Sequence, residues 1–426
     1  MKIATSLRSG GVLWAAPFVL LLMLFYYNAG EAHPLSEFHG WAPALVASPM
    51  MMLYAIAYSV AASLAAWESG RMSASGMWQL APSRSRFRVA ANILTPVILL
   101  SWAVLLIPPA INLIREQTWP TIDSLRLPVM AMFLAVAHAV IGFAVGLRVP
   151  RLFAAPIVAI MTFVLVAFTR AIHPYWIRHV SGQYADLSFG EVPGLSSIAA
   201  PMLFGGGLAV GIAVLWAPLR YRWVRPLLGC LVAVGCMSGA YSITHDWGHD
   251  PSLVTGQAPV ECRGQAPKVC MPQATASALT DVRSESLSAL TALRARGLQV
   301  SPTLITDRIS DGRGYRGSTN ATWRLPLTAA AAKGTIRYQI AMAAVRFPCT
   351  RVNTAPAQAA QLWAASIVGA DKDYVQRMAG ELPSRDGAKA NQQVQYAVKQ
   401  ILTKPAADQS AWYEKAVTAA CSRSGT

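Results

Sequence analysis

Seven apolar stretches occupy the first 243 residues of the chain, and the part that follows them is polar. A helix rises about 1.5 Å per residue, so roughly 20 apolar residues are needed to cross a hydrocarbon layer of about 30 Å. The stretches therefore predict a mainly α-helical, polytopic membrane protein. The predicted spans are 11–29, 44–66, 89–113, 127–147, 152–171, 196–217 and 224–243.

The composition differs sharply between the two parts. Hydrophobic residues make up 54% of the chain and charged residues only 13%, far from the balance of an ordinary soluble domain. After Thr244 the sequence becomes a segment with Pro and Gly and then a series of amphipathic stretches. We therefore expect a transmembrane domain (1–243), a linker (244–275) and a mostly helical domain (276–426).

Basic residues in the loops and at the ends of the spans predict the orientation. The net charge of +16 would suit nucleic acid, but Lys and Arg of membrane proteins concentrate in short cytoplasmic loops. With a cytoplasmic N-terminus, eleven basic residues fall inside and four outside; the odd number of spans then makes the C-terminal domain extracytoplasmic, and no nucleic-acid partner is expected. The inner residues are Lys2, Arg8, Arg71, Arg84, Arg86, Arg88, Arg148, Arg151, Arg220, Arg222 and Arg225, and the outer ones are Arg115, Arg126, Arg170 and Arg178.

The cysteines of the polar part bear on the same orientation, because disulfides persist in oxidising compartments. Four cysteines allow three pairings. We favour Cys262 with Cys270, which closes a small loop, and Cys349 with Cys421, which ties the last helix to the domain. Free thiols in a cytosolic tail are the alternative; zinc is disfavoured because no second close Cys or His pair is present.

The largest predicted cytoplasmic loop, 67–88, mixes Met77, Trp78 and other apolar residues with small ones and ends in a basic run. This composition favours a short amphipathic helix at the membrane surface. Two interpretations remain open. The helix is either a docking surface for a cytoplasmic protein or an anchor with Trp78 at headgroup depth and its arginines beside lipid phosphates.

Motifs of soluble catalysis are absent. The chain has no G-x-x-x-x-G-K-[ST] loop, no H-E-x-x-H and no G-x-S-x-G. We therefore predict no catalytic residues and no cofactor bound directly. No metal site is predicted, because Gly248 interrupts the close pair His245 and His249. The arginines among the glycines of 312–317 could hold an anion, although an exposed loop is the favoured interpretation.

His138 is the most conspicuous ionisable residue inside a predicted span. Hydrocarbon penalises such residues, so a functional role is one interpretation. A neutral imidazole hydrogen-bonded to a neighbouring helix is the favoured one. No series of intramembrane carboxylates accompanies His138, which argues against coupling to protons or sodium.

The order of these features resembles the permease subunits of type-2 export-class ATP-binding-cassette transporters. The resemblance covers about residues 1–220: six spans, a loop between the second and third, and an outer interfacial segment before the sixth. The run from Ala66 to Arg84 is similar to the segment that contacts the ATPase in this family, and the Ala and Arg usage resembles actinobacterial members. A seventh span and an extracytoplasmic domain depart from the family pattern.

The resemblance implies two permease subunits, identical or homologous, on two separate ATPase subunits that bind ATP and Mg. In that arrangement Glu68 and Arg71 make polar contacts to the ATPase, and Met77 and Trp78 fill a groove on it. The alternative function is a non-transporting membrane scaffold or sensor whose outer domain recruits an extracytoplasmic enzyme or an envelope ligand. The expected partners are therefore the ATPase, a second permease subunit, membrane lipid and an extracytoplasmic protein.

Overall fold

The computed structural model divides the chain into two compact units. The first, which we call the helical unit, ends at Gln257, and the second, the C-terminal domain, begins at Ala258. The structure describes residues 10–29, 35–76, 78, 85–184, 186–218, 220–221, 223–314, 316–381 and 385–422.

The helical unit is an all-α bundle with one small strand pair. Among the described residues, six of its helices are long and apolar enough to cross a membrane, which agrees with the predicted fold class. The elements are α1 (Val12–Ala29), α2 (Ala42–Ala74), α3 (Arg86–Arg115), α4 (Ile122–Gly146), α5 (Arg151–Ala167), α6 (Trp176–Val180), β1 (Val192–Pro193), α7 (Leu195–Val214), α8 (Val224–Thr244) and β2 (Leu253–Val254).

The fifth predicted span is shorter than expected. Helix α5 has 17 residues, and a 3-10 turn follows it; it therefore reaches about 26 Å, slightly less than the hydrocarbon layer. Its first residue, Arg151, lies against Gly70 near the end of α2, while Gln183 in the segment after α5 donates to the carbonyl oxygen of Met51. Those two levels of α2 are roughly 28 Å apart, so α5 runs beside α2 over most of that depth.

Helix α2 is the central element and packs against α1, α3, α4 and α5. Most of its residues are buried, and many of them are alanines. Small residues allow close helix approach in a membrane. On α4, Gly142 lies against the backbone of Ala62, and Gly146 lies against that of Ala66. Helices α7 and α8 pack in the same way, with Gly211 against the backbone of α8.

The two ends of α2 mark the two ends of the bundle. Near its C-terminal end, the amide of Gly11 donates to Glu68 Oε1 at 2.6 Å. At its beginning, Trp41 Nε1 donates to the carbonyl oxygen of Glu191 at 2.9 Å, immediately before β1. Strand β1 pairs antiparallel with β2. Gly11 and β2 therefore lie at opposite ends of the helical unit.

The predicted linker, 244–275, is not a separate segment, which corrects the expected boundaries. Its first part belongs to the helical unit, because β2 pairs with β1 and the amide of Gln257 donates to the carbonyl oxygen of Gly190 at 3.0 Å. Its second part, from Ala258, enters the C-terminal domain and forms two strands of a sheet. The helical unit thus ends later, and the C-terminal domain begins earlier, than the sequence predicts.

The C-terminal domain is mostly helical, as predicted, and also contains a four-stranded sheet. The sheet order is β3-β4-β5-β6, with β3–β4 antiparallel and the other two pairs parallel. The elements are β3 (Val260–Arg263), β4 (Lys268–Pro272), α9 (Leu279–Ala295), β5 (Leu304–Asp307), β6 (Thr322–Leu325), α10 (Leu327–Lys333), α11 (Ile336–Ala344), α12 (Thr354–Ile367), α13 (Asp371–Glu381), α14 (Arg385–Leu402) and α15 (Ala406–Cys421).

The core of this domain lies between the sheet and the helices. The largest buried side chains of this core are Trp323 on β6 and Trp363 on α12. Leu290, Ile305 and Ile340 pack in the same cluster. An independent core of this kind is what makes a domain a separate folding unit.

Strand β6 is an edge of the sheet, and the segment just before it covers that edge. The amide of Arg324 donates to Ser318 Oγ at 2.8 Å, and the amide of Thr319 donates to the carbonyl oxygen of Thr322 at 2.8 Å. Open edges pair readily with other chains. Here the chain occupies its own edge, and Ser318 and Arg324 form part of the wall of a surface groove.

Candidate functional site

The end of α2 carries the predicted coupling residues Glu68 and Arg71. The Glu68 carboxylate accepts the amide hydrogen of Gly11 at 2.6 Å and pairs with Arg71 at 3.2 Å. Its side chain is only 13% exposed, against 36% for Arg71. Glu68 therefore fastens the start of α1 to α2 within the chain, and Arg71 is the more exposed of the two.

Trp78 lies in an aromatic cluster that we define as Trp78, Phe87, Phe143 and Trp216. The ring of Trp78 is 5.6 Å from that of Phe143 and 6.0 Å from that of Trp216. The Arg86 guanidinium lies 5.5 Å from the Trp78 ring. Trp78 is half-buried and packs on its own chain. The aromatic cluster connects the segment between α2 and α3 to α4 and to the end of α7.

The remainder of the predicted 67–88 loop is mostly helix at its two sides, because α2 continues to Ala74 and α3 begins at Arg86. Met77, the fourth predicted coupling residue, lies outside the described residues, as does 79–84. The short amphipathic helix expected there stays a prediction.

A second contact between an arginine and an aromatic ring lies at the same end of the bundle, near the end of α2. The Arg151 guanidinium lies 5.2 Å from the ring of Trp67, and Arg148 extends to a carbonyl oxygen of α4. Stacking of this kind fixes a guanidinium while leaving its charge unneutralised. The end of α2, the start of α5 and the aromatic cluster thus form one connected surface.

His138 on α4 hydrogen-bonds within its own helix. Its Nδ1 lies 2.8 Å from the carbonyl oxygen of Leu134, so Nδ1 carries the proton, because a carbonyl can only accept. The ring stacks on Tyr58 of α2 at 4.7 Å, and the Tyr58 hydroxyl donates to the carbonyl oxygen of Gly182. The expected hydrogen bond is present, but its acceptor lies on α4 itself rather than on a neighbouring helix.

The segment between α5 and α7 inserts into the bundle rather than remaining at its surface. Gln183 Nε2 donates to Met51 on α2, and the Tyr184 hydroxyl lies 3.1 Å from Ser197 Oγ on α7. Tyr184 and Phe189 are each only 4% exposed. Their aromatic character alone suggests headgroup depth, but tertiary contacts bury them.

A small polar cavity lies beside this segment. It measures about 10 Å³ and is lined by Arg178, His179, Gln183 and Tyr184 among others. A cavity of this size holds at most one water molecule. Gln183 Oε1 is buried without a hydrogen-bond partner in the described part of the chain, so it is the natural acceptor for such a water.

His179 is 6% exposed and is held by the connection after α8. Its Nε2 lies 2.9 Å from the carbonyl oxygen of Gly248, and its ring meets Trp247 edge to face at 5.1 Å. Burial lowers the pKa of His179, and the neighbouring Arg178 charge acts in the same direction. The imidazole is therefore neutral at neutral pH and serves as a structural contact. Its sequence signal is weak, because the partners lie about seventy residues away.

Both predicted disulfides are present. Cys262 and Cys270 face each other across the β3–β4 pair. Cys349 and Cys421 connect the segment before α12 to the end of α15. The prediction of two disulfides in the C-terminal part is confirmed, and both lie within the C-terminal domain.

Comparisons with known proteins reach only this second unit. A family described as "Domain of unknown function (DUF7224)" matches residues 269–422, from β4 to the end of α15. No curated protein matches the chain, and no solved structure matches it. Within the described residues, no group of three or more His, Cys, Asp or Glu is placed to hold a metal ion.

Proposed function

We propose that the chain is the membrane-spanning permease subunit of an exporter-like ATP-binding-cassette transporter, driven by a separate ATPase subunit. The observation that supports this most directly is the end of the bundle where α2 and α3 meet. These helices have 33 and 30 residues and are about 50 and 45 Å long, so each exceeds the hydrocarbon layer by roughly 15–20 Å. In the proposed assembly, the excess length at the α2–α3 end would form a helical extension that the partner contacts.

The same end is mechanically connected to several helices. Glu68 holds the start of α1, Gly70 lies against Arg151 at the start of α5, and Trp78 packs on Phe143 of α4. Packed elements with few alternative arrangements transmit displacement well. A push on the α2–α3 end would therefore move α1, α4 and α5 together, which is what coupling to an ATPase requires.

The energy source in this proposal lies outside the chain. The sequence contains no phosphate-binding loop of the G-x-x-x-x-G-K-[ST] type, so ATP and Mg would be held by the partner. A second permease subunit, identical or homologous, would complete the membrane part. Apolar side chains of α1, α5 and α8 are exposed in the helical unit and would face lipid or that subunit.

The proposed orientation places the α2–α3 end in the cytoplasm and the chain in the cell membrane. Arg71, Arg86, Arg148 and Arg151 all belong to this end of the bundle, as expected for short loops that stay inside. Strand β2 lies at the opposite end, and the two disulfides of the C-terminal domain suit an oxidising exterior. We propose an extracytoplasmic C-terminal domain and an actinobacterial source on these grounds and on the Ala and Arg usage.

Purification of the full-length chain from its native membrane in mild detergent tests the proposal. We expect a protein with a phosphate-binding loop to co-purify at a fixed ratio and to hydrolyse MgATP. A chain ending at Gln257, where the helical unit ends, should retain that partner. Absence of any such ATPase from both preparations would contradict the proposal.

A membrane scaffold or sensor is the second candidate. It is favoured by the size and independence of the C-terminal domain, which has its own core and is the only part of the chain that a family model matches. In that case the chain ending at Gln257 would lose the biological activity while every membrane partner remained bound. Co-purification of membrane partners with the shortened chain is expected in both cases, so the biological activity of that chain is the measurement that separates the candidates.

A further inference from the structure

An open groove runs along β6 and α11 on the C-terminal domain. Its volume is about 440 Å³, and its lining includes Arg308, Ser318, Arg324, Gln339, Arg346 and Phe347. Small-molecule sites commonly measure about 300–1,000 Å³. Three guanidinium groups thus border one ligand-sized space, and none of the residues that line it is acidic.

The charge around the groove is strongly one-sided. Residues 294–351 contain ten Lys and Arg but only two acidic residues, Asp307 and Asp311. Asp307 is 1% exposed and accepts the amide hydrogens of Ile309 and Thr328; burial raises the pKa of its carboxyl group. Asp311 pairs with Arg324 at 2.9 Å. Neither carboxylate is available to neutralise the other two arginines.

Those two arginines differ in how they are held. Arg346 donates to Asn320 Oδ1 at 2.8 Å and to the carbonyl oxygen of Thr319. Both acceptors are neutral, so the guanidinium is fixed while its charge remains. Arg308 is exposed and makes no hydrogen bond or ion pair with the described residues. One positive charge is therefore held in place at the groove, and another is exposed there without a partner among the described residues.

We propose that this groove binds an organic phosphate. A planar guanidinium fork matches phosphate oxygens and makes charge-assisted hydrogen bonds to them. The groove also has an apolar wall formed by Leu325, Met342 and Phe347. That wall suits a carbon skeleton attached to the phosphate, which inorganic phosphate lacks. The phosphate ester comes either from a soluble metabolite or from a lipid headgroup, and this site is independent of the proposed transport role.

Calorimetric titration of the full-length chain in a non-ionic detergent tests the proposal. The probes are glycerol 3-phosphate, inorganic phosphate, glycerol, and short-chain dihexanoyl phosphatidylglycerol below its micelle concentration. We expect glycerol 3-phosphate to bind at least tenfold more tightly than inorganic phosphate and glycerol not to bind. If the phosphatidylglycerol binds more tightly than glycerol 3-phosphate, the natural ligand is a lipid headgroup. If glycerol 3-phosphate binds more tightly, the ligand is a soluble metabolite. Both results support the proposal that the groove binds an organic phosphate.

Matched substitutions distinguish the groove from general attraction to a basic surface. Arg308→Gln should weaken the binding of glycerol 3-phosphate at least tenfold, and because Arg308 has no partner in the described chain, the fold should be unaffected. Arg346→Lys, which keeps the charge but removes the fork, should also weaken binding. Arg337→Gln, an exposed arginine outside the groove, is the control and should leave affinity unchanged. Equal losses for Arg308→Gln and Arg337→Gln, or no saturable binding of any phosphate probe, would overturn the proposal.

Discussion

Gly142 on α4 lies so close to Ala62 on α2 that a methyl group at position 142 would overlap the Ala62 carbonyl oxygen. One turn later, Gly146 has the same relationship to Ala66. Their spacing is G-x-x-x-G, a pattern that permits close helix packing in membranes. The close crossing of α2 and α4 therefore depends on having glycine, which has no side chain, at positions 142 and 146.

We predict that Gly142→Ala destabilises the helical unit by about 1–3 kcal/mol, because overpacking forces the backbones apart. The control is Gly235→Ala on α8, where an added methyl group would meet nothing within 4 Å. There the better helix propensity of alanine should leave stability unchanged or raise it by up to about 1 kcal/mol. Thermal unfolding in detergent compares the two variants. Equal transition temperatures would show that the close approach is not needed.

The two disulfides should contribute unequally to the C-terminal domain. Their cysteines are separated by 72 residues for Cys349–Cys421 and by 8 for Cys262–Cys270. Closing the longer loop restricts the unfolded chain more, so the chain-entropy relation gives about 4 kcal/mol for the first and about 2.5 kcal/mol for the second. Pulse proteolysis of the full-length chain in urea should show the larger fall in midpoint for the paired Cys349→Ser and Cys421→Ser variant. The opposite order would contradict the entropic account.

Tyr413 gives a pH-dependent prediction. Burial raises its pKa to about 12, because the folded domain disfavours the charged phenolate. The folded-state pKa is therefore above the unfolded value near 10, so stability is unaffected below about pH 10 and falls as the pH rises from about 10 to about 12. Absorbance titration of the full-length chain near 295 nm should show a late-ionising group of tyrosines, and Tyr413→Phe should remove one phenol from that group. A phenol that titrates near pH 10 in the folded chain would be inconsistent with its burial against Trp363.

Features with a local physical cause could be predicted from the sequence. Hydrocarbon-length apolar runs predicted spans whose ends lie within about five residues of the observed long helices, except that α2 continues eight residues beyond its predicted end. Cys262 and Cys270 pair because an eight-residue separation brings them opposite each other in the hairpin of β3 and β4. In both cases the determining interactions lie within one short segment.

Features that depend on distant contacts could not be predicted. Ile336, Tyr338 and Ile340 alternate as in a strand, but Ile336 and Ile340 also share a helical face, and the fold buries all three in α11. Tyr184 is buried by α7 and by the connection after α8. The three arginines of the groove come from three separate segments of the chain, so no local sequence motif predicts the groove.

Thiol labelling should determine the proposed sides of the membrane. Ser73 at the end of α2 and Trp119 between α3 and α4 are both exposed, and they lie at opposite ends of α3 and its neighbours. With Cys230 and Cys236 replaced by alanine, an impermeant maleimide should label Trp119→Cys in intact cells. Ser73→Cys should react only after the membrane is opened, because arginines surround that end. Labelling of Ser73→Cys in intact cells would reverse the orientation.

The aromatic cluster provides the sharpest test of coupling. Trp78→Ala removes the ring contacts to Phe143 and Trp216, which connect the α2–α3 segment to α4 and to the end of α7. In a complex with the proposed ATPase, we expect the amount of bound ATPase or its MgATP turnover to change roughly fivefold or more, the lower range of coupling between sites. Trp119→Ala is the matched control, since Trp119 is 87% exposed at the other end of α3, and it should change neither quantity. If Trp78→Ala also leaves both unchanged while thermal unfolding confirms an intact fold, the α2–α3 end does not carry the coupling and the proposed permease role loses its principal support.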